Sequence, residues 1–314
     1  MIKAEDIPRR IILSRKGFDS SWGGCASPIL DSEMISLPIP EHSINDRESW
    51  GDRCCSEKHL TYRDLVTPQG KKVAELVDQL TKGKVRPSDC VHLDPDIRPE
   101  LRDMKCGKMP LTFGQDSGSQ TELKELNEGD LFLFFGWFRK AQKNLAGSFC
   151  YSDDGADIHS IWGWLQIAEK LDLPSKLSKA QEIASHHPHV SHYGNRKNNC
   201  LYIAGKALDF LAETEGAGVF SEFKDGLCLT DLEQKTNPNR LRSNWRLPAF
   251  FRDIKVTHIP SLQIQGKWKE NGESILGQAA NHPGQEFVFN TKGHEEEVAK
   301  WLDGIFSGKR RREI

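Results

Sequence analysis

The feature that most constrains the fold is the apolar run Leu131–Arg139, which Gly129 and Asp130 precede. The run is much shorter than the roughly 18 apolar residues that a membrane-spanning helix needs. Its length and aromatic content are typical of a strand buried on both faces. His159–Ile167 is a second such segment, so we expect two central strands that pair antiparallel.

More segments of the chain predict strands than predict helices, which is typical of the α+β class. We therefore expect a curved, mixed or antiparallel central sheet with flanking helices. The further predicted strands lie at 11–14, 201–204, 226–230, 254–258 and 286–289, and the predicted helices at 71–82, 119–127 and 294–306.

With 314 residues, the chain is long enough for one large domain or two ordinary ones. We expect a single domain over 1–314, because strands on both sides of a Pro/His-rich interval need one another for burial. Residues 41–62 and 172–200 are predicted inserted loops, and 307–314 a basic tail. Removal of residues 201–314 should then leave insoluble protein.

Composition excludes several classes of protein. The 43 Lys plus Arg and 45 Asp plus Glu give a net charge of −2, so nucleic acid would have to bind a local patch. Residues 1–20 lack the apolar run of a signal peptide, and we expect a cytoplasmic protein with no membrane partner. The sequence has no P-loop, dinucleotide fingerprint, H-E-x-x-H, G-x-S-x-G or C-x-x-C motif, so we assign no metal and leave the cofactor unknown.

The first candidate site follows the first predicted strand. Arg15 could hold a phosphate through its planar guanidinium, with Asp19 nearby, and Gly23 or Gly24 could let the backbone approach a ligand. A surface salt bridge and a tight turn are the commoner explanation.

His92, Asp94 and Asp96 form the second candidate site, which suits a divalent cation or acid–base chemistry. Asp before Pro is also an ordinary turn former, and a metal would need ligands from elsewhere.

The third candidate site is the start of the predicted helix at 119–127. Ser119 would cap it, and Gln115, Asp116 and Gln120 lie beside its free backbone N–H groups, which suit a phosphate or carboxylate. Asp116 could act as nucleophile or base. An ordinary cap on a surface helix is more common.

The fourth candidate site is the His-rich interval near residue 190. His186, His187, His189 and Asn199 could bind a metal or a base, but their spacing matches no defined metal site, and a solvated loop is the commoner explanation.

Short motifs at turns and strand ends follow one another along almost the whole chain. They lie at 17–28, 36–40, 92–96, 113–115, 129–136, 159, 163–166, 187–189, 198–199, 245–248 and 284–288. In this order they resemble the nucleotide modification associated domain 3 (Nmad3) family of bacteria and phages. The resemblance implies a role with modified nucleotides or DNA, and we count its motif residues His159, His189 and Asn199 as ligand-binding candidates.

The segment 129–167 is also similar to the strand pairs of PUA-like barrels, which present a pocket that can accept a nucleobase. It supports an alternative function, a non-catalytic reader of a modified base. A third alternative is an interaction protein in phage defence.

The leading hypothesis is an enzyme that transfers or hydrolyses a group at a base or glycosidic position of a nucleotide or nucleic acid. Asp19 or Asp116 would act as base or nucleophile, and His92 with Asp94 would orient or transfer a proton. Arg15 would hold phosphate, so we expect its guanidinium to lie within about 10 Å of the Ser119 backbone nitrogen.

Overall fold

Two long antiparallel strands form the centre of the computed structural model, as the apolar runs predict. They are β5 (Leu131–Lys143) and β7 (Ile158–Asp172), and their register shifts between Phe134 and Phe135. Such an irregularity increases the local twist of a strand pair. The structure describes residues 1–41, 60–67, 69–98, 109–116, 123–191, 198–233, 242–253, 256–257, 269–279 and 286–306.

The other strands are shorter: β1 (Arg10–Arg15), β2 (Ser27–Leu30), β3 (Glu33–Met34), β4 (Thr112–Gln115), β6 (Phe149–Tyr151), β8 (Cys200–Ala204), β9 (Ala207–Leu208), β10 (Leu211–Glu215), β11 (Ala217–Val219), β12 (Asn244–Pro248), β13 (Val256–Thr257), β14 (Lys269–Asn271), β15 (Ser274–Gln278) and β16 (Glu286–Asn290). Among the described residues, the main sheet has 11 strands, seven of them in the order β13-β16-β1-β5-β7-β8-β4, with β2, β3, β6 and β11 paired beside this path. Strands β9 and β10 form a small separate sheet, as do β12, β15 and β14. Strands β1 and β2 run parallel to β5, and the other pairings are antiparallel. The predicted mixed sheet is therefore confirmed.

The sheet is strongly curved but open. Lys16, just after β1, reaches Gln115 of β4 with its ammonium 3.1 Å from Oε1, although three strands separate β1 and β4 in the sheet order. The described order ends at β13 and β4 without a pairing that joins them, so the sheet is not a closed barrel. The similarity to PUA-like barrels does not extend to closure.

Alternation along the strands gives the sheet an inner and an outer face. Phe134 points to the inner face, where its ring contacts Phe113 of β4. Phe135 points to the outer face, where its ring contacts Trp245 and Phe287. All five residues are fully buried, so both faces of the central strands carry core.

Two predicted helices are confirmed. Helix α1 (Val73–Leu80) buries its apolar stripe in a second core cluster under the 60–98 segment. Two further helices precede β8, α2 (Leu173–Ala184) and α3 (Pro188–Ser191). The last, α4 (Glu295–Phe306), has three glutamates in its first turn, where the helix dipole favours acids. No helix among the described residues is long and apolar enough to cross a membrane.

The predicted helix at 119–127 is wrong over its described part, since residues 123–125 form a turn. The Lys170 ammonium lies within hydrogen-bond distance of the carbonyl oxygens of Leu123, Lys124 and Leu126, so a side chain distant in sequence holds this segment as a turn. Residues 117–122 lie outside the described part of the chain.

The predicted loop at 172–200 instead contains α2 and α3. Leu173, Ala180 and Ala184 form the buried stripe of α2, and Pro174 lies at its start, where proline is tolerated. The predicted strand at 226–230 is replaced by a 3-10 turn at Asp225–Leu227 with isolated bridges at the residues that follow.

Candidate functional site

The candidate site is centred on Asp94, beside the edge of β4 that does not pair with β8. Asp96 forms an antiparallel bridge with Thr112, with N···O distances of 2.8 and 3.0 Å. This bridge holds the segment against β4, where the Gly114 amide donates to Asp94 Oδ1 at 2.8 Å. The Asp94 side chain is only 6% exposed, so its carboxylate is almost inaccessible to solvent.

Two imidazoles face this carboxylate, that of His187, between α2 and α3, and that of His189, in α3. His187 Nε2 lies 3.4 Å from Asp94 Oδ1, and His189 Nε2 lies 3.4 Å from Asp94 Oδ2. Both rings pack against Gly114, where an added Cβ would lie 2.4 Å from His189 Cγ and 2.8 Å from His187 Cε1. The site therefore needs glycine at this position of β4. We call Asp94, His187 and His189, with His92 and Asn199 described below, the Asp94 site.

Hydrogen bonds on the far side of each ring determine its protonation. Asn199 Nδ2 donates to the His189 carbonyl at 2.9 Å, so Asn199 Oδ1 accepts from His189 Nδ1 at 2.8 Å. His189 thus carries a proton on Nδ1. The His189 amide donates to His187 Nδ1 at 3.2 Å, so the proton of neutral His187 is on Nε2 and points at Asp94.

The electrostatics of the Asp94 site keep the carboxylate ionised. Burial alone would raise the pKa of Asp94, but polar interactions with His187 and His189 hold it well below its ordinary value. Burial also opposes the charged form of both imidazoles. It lowers the pKa of His187, whereas interactions with Asp94 outweigh burial and raise the pKa of His189.

His92 forms the exposed side of the Asp94 site. Its side chain is 20% exposed, and its Nδ1 lies 3.5 Å from Glu41 Oε2. One ligand atom each from His92, Asp94 and His189 all lie within 4.8 Å of one another. Asp116 also acts on this site, since its charge contributes to the raised pKa of His189.

A buried ion pair lies close to Asp94 on the inner face. The Lys16 ammonium is 3.1 Å from Glu286 Oε1 and from Gln115 Oε1, and Ser14 Oγ donates to the same Glu286 oxygen at 3.0 Å. Burial raises the pKa of Glu286, although Lys16 partly offsets it, and the charge of Asp94 adds to the rise. We missed Lys16 and Glu286 in the sequence, although strand alternation from Ser14 puts Lys16 on the same face.

Arg15 does not join Gln115. Since Ser14 and Lys16 point to the inner face, Arg15 points to the outer face, beside Phe135. Lys16 therefore occupies the position next to Gln115 that we had predicted for Arg15. Ser119, the other end of the predicted 10 Å distance, and Gln120 lie outside the described residues.

The outer face holds a second polar cluster. Trp245 Nε1 donates to His159 Nδ1 at 3.1 Å, and His159 Nε2 is buried with no hydrogen-bond partner among the described residues. Burial, with the charges of Arg15 and Arg242, holds the pKa of His159 well below its ordinary value. The Arg242 guanidinium lies 4.2 Å from the centre of the Trp137 ring. A neutral imidazole and two cations thus lie together.

Asp19, Gly23 and Gly24 build a turn. Asp19 Oδ1 accepts the amides of Ser21 and Trp22, both at 2.7 Å. Both glycines have positive φ, and a Cβ on Gly23 would lie 2.4 Å from the Phe18 ring. The structure gives all three residues a conformational role.

A cavity of about 300 Å³ adjoins Asn199, at the lower end of the range for small-molecule pockets. Because Asn199 bonds to His189, the cavity lies next to the Asp94 site. Its described lining is Lys124, Lys170, Asp172, Asn198, Asn199 and Cys200.

Comparisons with known proteins give one match. The family model described as nucleotide modification associated domain 3 matches residues 10–290, which include every residue of the Asp94 site. No curated protein and no solved structure matches the chain.

Proposed function

The chain belongs to the nucleotide modification associated domain 3 (Nmad3) family, and on that premise we propose that it is an enzyme acting on a nucleotide or on a base in nucleic acid. The reaction is transfer or hydrolysis of a group at the base or glycosidic position. The cytoplasmic location expected from the sequence belongs to this proposal, and cell fractionation tests it.

The observation that carries the proposal is the convergence of two polar segments on Asp94. The site buries an ionised carboxylate between two imidazoles, one with a lowered and one with a raised pKa, and this burial costs folding free energy. Groups with shifted pKa values cluster at functional sites. His92 and Asp116, at the rim, are the groups that a substrate would meet first.

Asp116 is the proposed base or nucleophile, and Asp94 with His92 and His189 holds the reacting group. In hydrolysis, the water oxygen bonds to the carbon under attack, and its proton passes to the Asp116 carboxylate. The bond to the leaving nitrogen breaks, and its electron pair stays on that nitrogen. Asp19 is no longer proposed as base, because its carboxylate is bonded to the turn.

Phosphate recognition is assigned to Lys124, which lines the neighbouring cavity. The ammonium groups of Lys16 and Lys170 are already held, by Glu286 and Gln115 and by three carbonyl oxygens respectively. Lys124 replaces Arg15, which points to the other face of the sheet.

Mass spectrometry of products from a panel of nucleotides and modified DNA tests this function. Asp116→Asn, which removes the proposed base or nucleophile, should lower turnover by about 10²–10⁴-fold and retain ligand binding. Asp154→Asn is the matched control, because this carboxylate is 74% exposed. Thermal melting of each variant separates loss of chemistry from loss of folding. Absence of turnover by the wild-type protein with every substrate, NAD included, would contradict an enzyme.

The second candidate is a non-catalytic reader of a modified base, which the outer-face cluster favours. Arg15, Arg242 and the unpartnered N–H of His159 offer donors beside Trp137. For a reader, Arg242→Ala should weaken DNA binding in a fluorescence assay, while the exposed Arg63→Ala should not. Equal turnover by the wild-type protein and by Arg242→Ala would contradict this alternative.

A further inference from the structure

Three metal-ligating groups converge at the edge of β4. Within the cluster, His189 Nε2 and Asp94 Oδ2 are 3.4 Å apart, and a ring nitrogen of His92 completes a set within 4.8 Å. Two ligands about 2.1 Å from a tetrahedral ion are separated by about 3.4 Å. We propose that His92, Asp94 and His189 bind a divalent transition-metal ion.

The orientation of His189 supports a positive centre between it and Asp94. Because Nδ1 donates to Asn199, Nε2 of the neutral ring directs a lone pair at the carboxylate. Two lone pairs that face each other repel unless a cation or proton lies between them. The 3.4 Å separation exceeds the about 2.7–3.2 Å of a well-formed N–H···O hydrogen bond, so it suits a metal better than a shared proton.

The surroundings of the three ligands match those of metal sites. A ligating histidine usually donates its other N–H to an oxygen, which fixes the ring and raises its basicity. Asn199 Oδ1 has this role for His189 at 2.8 Å. The Gly114 amide orients the Asp94 carboxylate in the same way at 2.8 Å.

The ligand types determine the class of ion. Two imidazole nitrogens and one carboxylate suit Zn²⁺ or Fe²⁺, whereas Mg²⁺ and Ca²⁺ prefer oxygen ligands throughout. Three protein ligands leave at least one coordination position open, as catalytic sites require. Such an ion would lower the pKa of a bound water or polarise a substrate oxygen.

The inference rests on the proposed function in so far as both use the Asp94 site, but metal binding is measured without substrate. Turnover by a protein that binds no metal ion would overturn the metal assignment and leave the enzyme proposal standing. One bound metal ion per chain with no turnover on any substrate would support the metal assignment and contradict the enzyme proposal.

The experiment uses the full chain, stripped by a chelator and reconstituted with Zn²⁺ or Co²⁺. Elemental analysis should find about one ion per chain, and the Co²⁺ protein should show visible d–d absorption. Chelator competition gives the affinity. His92→Ala, which removes the most exposed ligand, should weaken Zn²⁺ binding by at least about tenfold, and Asn199→Ala by about 10–100-fold.

His294→Ala is the matched control, because this histidine lies just before α4 with its ring beside Phe250 and is not one of the three clustered ligands. Its Zn²⁺ affinity should equal that of the wild-type protein. Circular dichroism of the metal-free proteins checks that each variant folds, and Asn199→Ala keeps all three ligands if His92→Ala does not. Less than about a fifth of an ion per chain, or equal affinities for folded Asn199→Ala and His294→Ala, would overturn the proposal.

Discussion

Replacement of Gly114 by alanine tests the close packing on which the Asp94 site depends. The added Cβ would lie 2.4 Å from His189 Cγ and 2.8 Å from His187 Cε1. Ordinary carbon contacts are about 3.5–4.0 Å, so the His189 ring must retreat by about 1 Å or β4 must move. Overpacking of this kind should lower the free energy of unfolding by about 1–3 kcal/mol.

Gly114→Ala should also impair function. A retreat of the rings separates both imidazoles from Asp94, which the Gly114 amide itself holds. Displacement of reacting groups by about 1 Å can reduce a rate by about 10²-fold. We expect a loss of that size in turnover, with a parallel loss of Zn²⁺ affinity.

Gly304→Ala is the matched control for this experiment. Gly304 lies inside α4, and outside the helix's own backbone no atom of the described residues lies within 4 Å of its added Cβ. Alanine at a helix interior is about 1 kcal/mol better than glycine, so this variant should gain stability. Urea unfolding measures both stabilities. Similar stability changes in the two variants, or wild-type turnover and Zn²⁺ affinity in Gly114→Ala, would refute the packing argument.

Two further predictions concern buried carboxylates. Lys16→Met should lower the free energy of unfolding by about 3–5 kcal/mol, because it leaves buried Glu286 unpaired. The control Lys140→Met, at an exposed lysine, should lower it by less than about 1 kcal/mol. Equal losses for the two variants in urea unfolding would contradict the argument from burial. Burial raises the pKa of Asp130, although backbone donors partly offset it, so the native state binds the proton more tightly and stability falls as pH rises from the ordinary pKa through the raised one. Asp130→Asn should remove the contribution of Asp130 to that fall in urea unfolding as pH rises above the ordinary Asp pKa of about 3.9, and an unchanged slope would count against it.

The secondary structure was predictable where one local pattern dominates. The apolar runs became β5 and β7, and three glutamates before an apolar stripe marked α4. The helix at 119–127 failed because of a contact from far along the chain. Lys170 bonds to the carbonyls of residues 123, 124 and 126, which are 44–47 positions away, and no local pattern reports it.

The residue types of the Asp94 site were readable in the sequence, but their convergence was not. His92 and Asp94 formed one predicted site, and the histidines near residue 190 formed another. They meet because β4 pairs with β8 in the register Gln115↔Cys200, which places Asn199 and the α3 turn beside β4. The Asp96–Thr112 bridge then brings Asp94 to the opposite edge of the same strand.

That register also decides whether the ligands have room. A slip of one residue between β4 and β8 would move every β4 side chain to the other face. The histidine rings would then meet Phe113 or Gln115 where they now meet the hydrogen of Gly114, and no imidazole could approach Asp94. A single pairing register between strands about 90 residues apart thus converts two ordinary polar segments into one potential metal site. Sequence spacing alone, from which we had assigned no metal, carries no information on that register.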